Sequence, residues 1–518
     1  MHRAEDKESF LYLDKFKGLE NKGCPVPSLR RNIVMSIYSS EGKMRFPSKH
    51  VIRNKIVKAG IADSIQYLSN HRSSLEKYRD IEDLVLRDEE WATKTNEDPK
   101  ILRGCEYHLN RIRNRLAKEL WSRDFYLGIS VLDHMLFSSF AHHKSKDPLI
   151  HALERIKDSG VLRAGIVIYP LHSMGVLGAG ILHAYTAARV SFSIPIYGIM
   201  ITPQTNSMEG TIEFLECALG TLKINKTLPY DLIEHWRRSR PTKWLERNPL
   251  LVMKIHSFPG DYYENQYFLV CKLKLATTLI CMLYALQEGK KSARMLFDSS
   301  RTNNWETLDI KHYLVLYPKP NSRNLVGDCV PMNVGRSALA DLSEAPVQID
   351  PTFWRSQNPI CEKLSEALRK TMTGFSIHCI REKGDNPNAK MYKKLFRSLE
   401  FYKRSFRIRE DVGESALNLA VAFEILLTDQ YSPGVHYNRI MDRLSILLKG
   451  IEGARKFRDS VDKLFRFRGK YVHSGSSDSV VNLHHSKVAF IYAFLSLTSR
   501  LALIPKRAAE PIRYLLPV

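Results

Sequence analysis

Residues 480–504 are apolar on most sides of the helix that their spacing describes. A helix that is hydrophobic all round is stable only with other elements wrapped about it. This segment therefore reads as a central core helix of the C-terminal part of the chain. Four helical stretches precede it. Residues 395–407 are basic and aromatic, and 414–428 read ESALNLAVAFEILLT, with Glu424 inside an apolar run. Residues 437–450 end on Gly450, a usual helix stop, and 453–473 run into RFRGKYVH.

The chain has 518 residues, which leaves room for two to four domains at about 100–200 residues each. Hydrophobic residues make up 44% and charged residues 26%, which excludes wholesale disorder, collagen-like sequence and a disulfide miniprotein. Lys and Arg number 78 against 55 Asp and Glu, a formal charge of +23. That excess favours a polyanion as partner, RNA, DNA or an anionic membrane surface, with solvated Lys faces as the plain alternative.

The cysteines include no Cys-x-x-Cys pair, and neither His-Glu-x-x-His nor a run of acidic ligands occurs. No metal and no cofactor are expected, and free thiols fit a reducing cytoplasm. Residues 164–188 are the stretch nearest to a membrane span, but Pro170, His172 and His183 interrupt them. They read better as a buried strand at 165–169 followed by a buried helix at 174–189, so no membrane is expected.

Along the chain, residues 1–50 show little periodicity, and 51–136 are mostly helical. Leu102, Leu109, Ile112, Leu116 and Leu120 recur at helical spacing, and Arg111, Arg113, Arg115 and Lys118 form either a phosphate grip or a solvated face. Between 160 and 330, apolar runs at 165–169, 191–201, 267–275 and 313–317 alternate with helical stretches, which predicts an α/β region. Gly175, Gly178 and Gly180 do not complete a dinucleotide fingerprint, and close helix packing explains them better. Residues 318–359 read as a loop or junction, and helices resume from about 360. The expected fold is α+β and multi-domain: a mainly helical region over 1–150, an α/β middle over 151–360, and an all-α bundle over 361–518.

The chemistry gathers in Arg466-Phe-Arg468-Gly-Lys-Tyr-Val-His473. RNA carries its own nucleophile, the 2′-hydroxyl, so a protein can cleave it by moving protons with histidine and neutralising phosphate with arginine. Ala422-Phe-Glu424-Ile-Leu-Leu427, Arg443 in MDRLSILL and Arg468 through Gly475 occur in an order and spacing that resemble the HEPN superfamily. The closest resemblance is to the Apea-like HEPN domains of bacterial anti-phage defence proteins, over roughly the last quarter of the chain.

The resemblance implies a bundle of about five helices that pairs with a second copy. It also implies metal-independent endoribonuclease activity, on RNA that includes tRNA, released by a phage-encoded trigger. By the same resemblance the catalytic pair is Arg468 and His473. Arg466 also satisfies the Arg-x4-6-His pattern and shares the face of His473 on an unbroken helix. Glu424 and Arg443 are supporting residues, with Glu424 either orienting Arg443 or a motif residue, or simply satisfying a nearby arginine. Lys470, Tyr471, Arg404 and Arg407 are candidate RNA contacts, and Tyr471 is equally a core ring. Two other classes stay open: a non-catalytic HEPN scaffold that binds nucleic acid, and a nucleotide-handling enzyme in the middle region.

Overall fold

The computed structural model describes residues 48–86, 98–121, 125, 127, 129–158, 165–171, 174–176, 192–194, 198–202, 205, 207–224, 227–238, 242–255, 263–288, 312–318, 324–331, 347–350, 353–354, 358–381, 386–406, 412–430, 434–474, 483–505 and 508–517. The protein is mostly helical, with one larger and one smaller sheet among the described residues. The expectation of an α+β protein agrees with this.

The first helices are α1 (Lys49–Ile56), α2 (Ala62–Asn70), α3 (Arg72–Leu75), α4 (Ile81–Leu86), α5 (Pro99–Trp121), α6 (Ile129–Ala141) and α7 (Pro148–Asp158). The apolar series predicted for α5 is buried, from Leu102 to Leu120. Two of its basic residues turn to carboxylates of this chain. Arg111 donates to Asp63 Oδ2 at 2.6 Å, and Arg113 donates to Asp133 Oδ2 at 3.1 Å. Of the two readings of that basic group, the structure gives these two arginines intramolecular partners.

The strands are β1 (Gly165–Pro170), β2 (Gly175–Val176), β3 (Phe192–Ile194), β4 (Ile199–Thr202), β5 (Leu250–Ile255), β6 (His312–Pro318), β7 (Leu325–Pro331) and β8 (Gln348–Ile349). Six form one sheet in the order β3-β4-β5-β1-β6-β7, while β2 and β8 pair separately. Every pairing in the larger sheet is antiparallel; central β1 sets Ile168 opposite Val252 of β5 and Leu314 of β6. Helices lie between β4 and β5 and between β5 and β6, but among the described residues the strands come in groups rather than in strict alternation, and the sheet is not the parallel one that alternation suggests. Apolar patterning marks a strand without giving its direction.

Side chains alternate between the two faces of the sheet. Ile166, Ile168, Leu250 and Val252 pack with α8 (Met208–Thr221), α9 (Tyr230–Arg238) and α10 (Trp244–Arg247). Val167, Tyr169, Leu251 and Met253 join a larger core with α11 (Tyr263–Glu288) and the C-terminal helices. Residues 267–275, predicted as a strand, lie within α11. A short apolar run reads alike as a buried strand or a buried helix, and only its continuation through Leu286 separates the two. The 191–201 run is the hairpin β3–β4, and the predicted loop at 318–359 contains β7. Of the predicted helix at 174–189, Gly175 and Val176 are strand, and residues 177–189 lie outside the described residues, Gly178 and Gly180 among them.

The C-terminal helices are α12 (Asn358–Phe375), α13 (Pro387–Arg404), α14 (Val412–Leu427), α15 (His436–Leu447), α16 (Ala454–Ser474), α17 (Leu483–Arg500) and α18 (Pro511–Leu515). Asn386 starts α13 by accepting the Ala389 N–H at 2.8 Å, ahead of Pro387 in the first turn. Gly450 and Gly453 take φ of 82° and 75° in the link from α15 to α16, a conformation that side chains other than hydrogen disfavour. In α17 every residue from Val488 to Phe494 is buried, as a central helix requires. Two segments, Leu269–Gln287 and Leu483–Leu503, are long and apolar enough to cross a membrane. Here 78% and 61% of those windows are buried inside the protein.

Two glycines make opposite predictions. A methyl group on Gly413 of α14 would stand 2.1 Å from the Tyr471 ring, whereas one on Gly469 of α16 would meet nothing within 4 Å. Gly469→Ala should therefore stabilise by about 0.5–1 kcal/mol through helix propensity alone. Gly413→Ala should lose about 1–3 kcal/mol to overpacking despite the same gain. Urea unfolding of the two variants checks this, and equal effects would contradict the packing described.

Candidate active site

Ser460 hydrogen-bonds Ser486 at 2.7 Å and Phe457 packs on Tyr492, so α16 and α17 run antiparallel. Leu483, the first residue of α17, then falls about level with Lys463. The last turns of α16 reach beyond the start of α17 and meet α14 and α15 instead. They carry Arg466, Arg468, Lys470, Tyr471 and His473.

Arg468 and Glu424 close the seam between α16 and α14. Arg468 Nη1 donates to Glu424 Oε1 at 2.6 Å, and Nη2 donates to Oε2 at 3.4 Å. This fork-to-fork pairing fixes both side chains in direction as well as distance. His436, the first residue of α15, places Nε2 3.8 Å from the same Oε1. The three side chains are 35%, 18% and 15% exposed, so the cluster is screened from solvent but reachable from it. Burial holds the His436 imidazole below its ordinary value; Glu424 pulls it up, and Arg468, Arg439 and Arg443 push it further down.

Arg466 belongs to another cluster. Its Nε donates to Asp462 Oδ1 at 3.0 Å, one helical turn back, and Tyr437 Oη also donates to that carboxylate. The hydrogen bond to Asp462 holds the Arg466 guanidinium above its ordinary value. The helix is unbroken through Ser474, so Arg466, seven residues before His473, shares its face, while Arg468 lies about 140° round. The two arginines thus divide the features expected of one. Arg466 is exposed on the face that carries the histidine about two turns further on, and Arg468 turns into the seam.

His473 is exposed in the last turn of α16, and residues 475–482 after it, Gly475 included, lie outside the described residues. Lys470 is exposed as well. Tyr471 packs its ring against Gly413 and stacks on Phe467 at 5.9 Å, which is the core role among its two readings. Arg443 does not reach Glu424. It is buried and donates Nη1 to Leu427 O at 2.7 Å, while Lys394 donates to Thr428 O at 2.7 Å. Both cations serve the carbonyl end of α14, where the helix dipole is negative. Arg404 sits on α13 with its guanidinium carbon 5.4 Å from the Phe401 ring centre, and Arg397 lies 5.2 Å from the same centre. Arg407 lies outside the described residues.

No family model, no curated protein and no solved structure matches this chain. The site must be read from its own side chains. Among the described residues, no three His, Cys, Asp or Glu come together as a metal cluster. The described cysteines are free thiols, and burial raises that of Cys361 to about 12, well away from a reactive thiolate at neutral pH. The end of α16 presents an exposed imidazole and two guanidiniums, each paired with a carboxylate of this chain. His436 is the member that sequence reading missed. It has no motif around it, and only the packing of α15 against α14 brings it to Glu424.

Proposed function

We propose that the C-terminal bundle is a HEPN-type, metal-independent endoribonuclease of an anti-phage defence protein, held here in a resting form. The observation that supports the reading is the exposed His473 on the same unbroken helix as Arg466 and Arg468, with Arg468 folded onto Glu424. In the reaction, His473 takes the proton of the RNA 2′-hydroxyl as its oxygen attacks the adjacent phosphorus. The P–O5′ bond breaks, and the leaving oxygen is protonated by a second imidazole, His473 of a second copy of the chain. Arginine neutralises the charge that builds on the phosphoryl oxygens. The products are a 2′,3′-cyclic phosphate and a 5′-hydroxyl.

The Arg468–Glu424 pair bears on regulation. A guanidinium held by a carboxylate on both forks is not presented to phosphate, so substrate or a trigger must turn it out. The same closed pair favours one alternative, a non-catalytic bundle that binds RNA as a scaffold. Cleavage of RNA on a denaturing gel in EDTA, by the full chain and by Arg468→Ala and Arg466→Ala, tests both. Loss of cutting in Arg468→Ala alone assigns the phosphate contact to the seam arginine, and loss in Arg466→Ala alone assigns it to the exposed one. No cutting by the wild type, even in extract of phage-infected cells, would leave the scaffold reading in its place.

A further inference from the structure

We propose that His436 is a positioning residue that takes over Glu424 when Arg468 turns to a phosphate, so that RNA binding at this site is coupled to uptake of one proton. The proposal deepens the nuclease reading and rests on it for its RNA arm. It starts from one carboxylate with two neighbours on two different helices, a guanidinium that holds it and an imidazole within reach of it. Arg468 of α16 holds both Glu424 oxygens, at 2.6 and 3.4 Å, and His436 Nε2 of α15 stands 3.8 Å from the oxygen that Arg468 holds more tightly. Glu424 is 18% exposed, and an enclosed carboxylate that loses one cationic partner attracts another within reach.

The charged groups around His436 fix the sign. Glu424 faces it from α14 and Arg468 from α16, with Arg439 and Arg443 on its own helix. While Arg468 is in place, Glu424 is already paired and three guanidiniums oppose a charge on the imidazole. Turning Arg468 out removes one of those cations and leaves Glu424 uncompensated. Both changes favour the imidazolium, and a small closing movement converts the 3.8 Å separation into a charged hydrogen bond. His436 therefore binds its proton more tightly in the RNA complex, and by linkage RNA binds more tightly as pH falls through that range. Replacing the released arginine by the imidazolium also keeps Glu424 from recapturing it.

Two measurements on the full chain test the exchange. The first follows the imidazole Cε1–Hε1 signal of His436 by NMR against pH, assigned as the signal lost in His436→Gln. Arg468→Gln should raise its titration midpoint and Glu424→Gln should lower it. An unmoved midpoint in Arg468→Gln overturns the proposal without any RNA present. The second measures binding of a fully 2′-O-methylated single-stranded RNA, which cannot be cleaved, at pH 6 and pH 8. The wild type should gain on the order of tenfold more affinity at the lower pH than His436→Gln does. Equal gains in the two proteins would overturn the exchange and leave the nuclease reading intact. Absence of binding at both pH values would overturn both.

Discussion

His473→Ala is expected to slow RNA cleavage by at least about 10²–10⁴-fold, the range that one positioned proton-transfer group supplies, since the substitution removes the imidazole that takes the 2′-hydroxyl proton and its counterpart on the second copy. The measurement is single-turnover cleavage of end-labelled RNA in EDTA by the full chain. The side chain is exposed at the last turn of α16, so stability should change by less than about 0.5 kcal/mol. A loss of rate with an unshifted unfolding midpoint therefore belongs to the chemistry. His473→Ala cutting at the wild-type rate would remove the imidazole from the mechanism and return the end of α16 to a binding role. Conversion to Gln separates the two roles further, because an amide can hydrogen-bond a phosphate but cannot carry its proton.

The largest effect on folding is expected at Phe490, in the middle of α17. Its ring stacks on Tyr402 of α13 at 4.5 Å and meets Phe423 of α14 edge-on at 5.4 Å. It is fully buried, and one aromatic ring thus holds three helices at one level. Phe490→Ala removes that ring and leaves a cavity that rigid neighbours cannot fill, a loss of about 3–5 kcal/mol. Hydrogen exchange at amides of α13, α14 and α17 reads this locally. Protection in these helices should fall together. A fall confined to α17 would mean that the three helices are not cooperative through this contact.

The helices α13, α15 and α16 were legible from an apolar stripe among charged residues, and α15 also from the glycine that stops it. The predicted 453–473 helix is α16 to within a residue at each end, and the polar residues on it have the exposure that their spacing implies. The start of α13 was less legible, since Asn386 and Pro387 lie eight or more residues ahead of its basic aromatic stretch. Where burial is complete, the period disappears. Residues 267–275 belong to α11, which is apolar on nearly all sides and so reads equally as a strand. The site divides in the same way. Glu424 and Arg468 were both visible as candidates, because a charge within an apolar run and a motif arginine each stand out in one dimension. Their pairing, the turning of Arg443 to the end of α14 and the presence of His436 are products of helix packing, which no local pattern encodes.

α11 has a consequence for where such a protein can be cut. It closes one side of the C-terminal helices, lying against α12, α13 and α17, and Lys274 pairs with Glu400 across that contact. Its other neighbours include β8, and its core is continuous with one face of the sheet. A gene fragment beginning near residue 361 would encode a bundle lacking one of its walls. The transplantable piece begins at α11, and β6, β7 and β8 intervene before the rest of it follows. A truncation that starts after β8 therefore removes α11 together with the sheet, and the helices left behind expose the apolar faces that α11 covered.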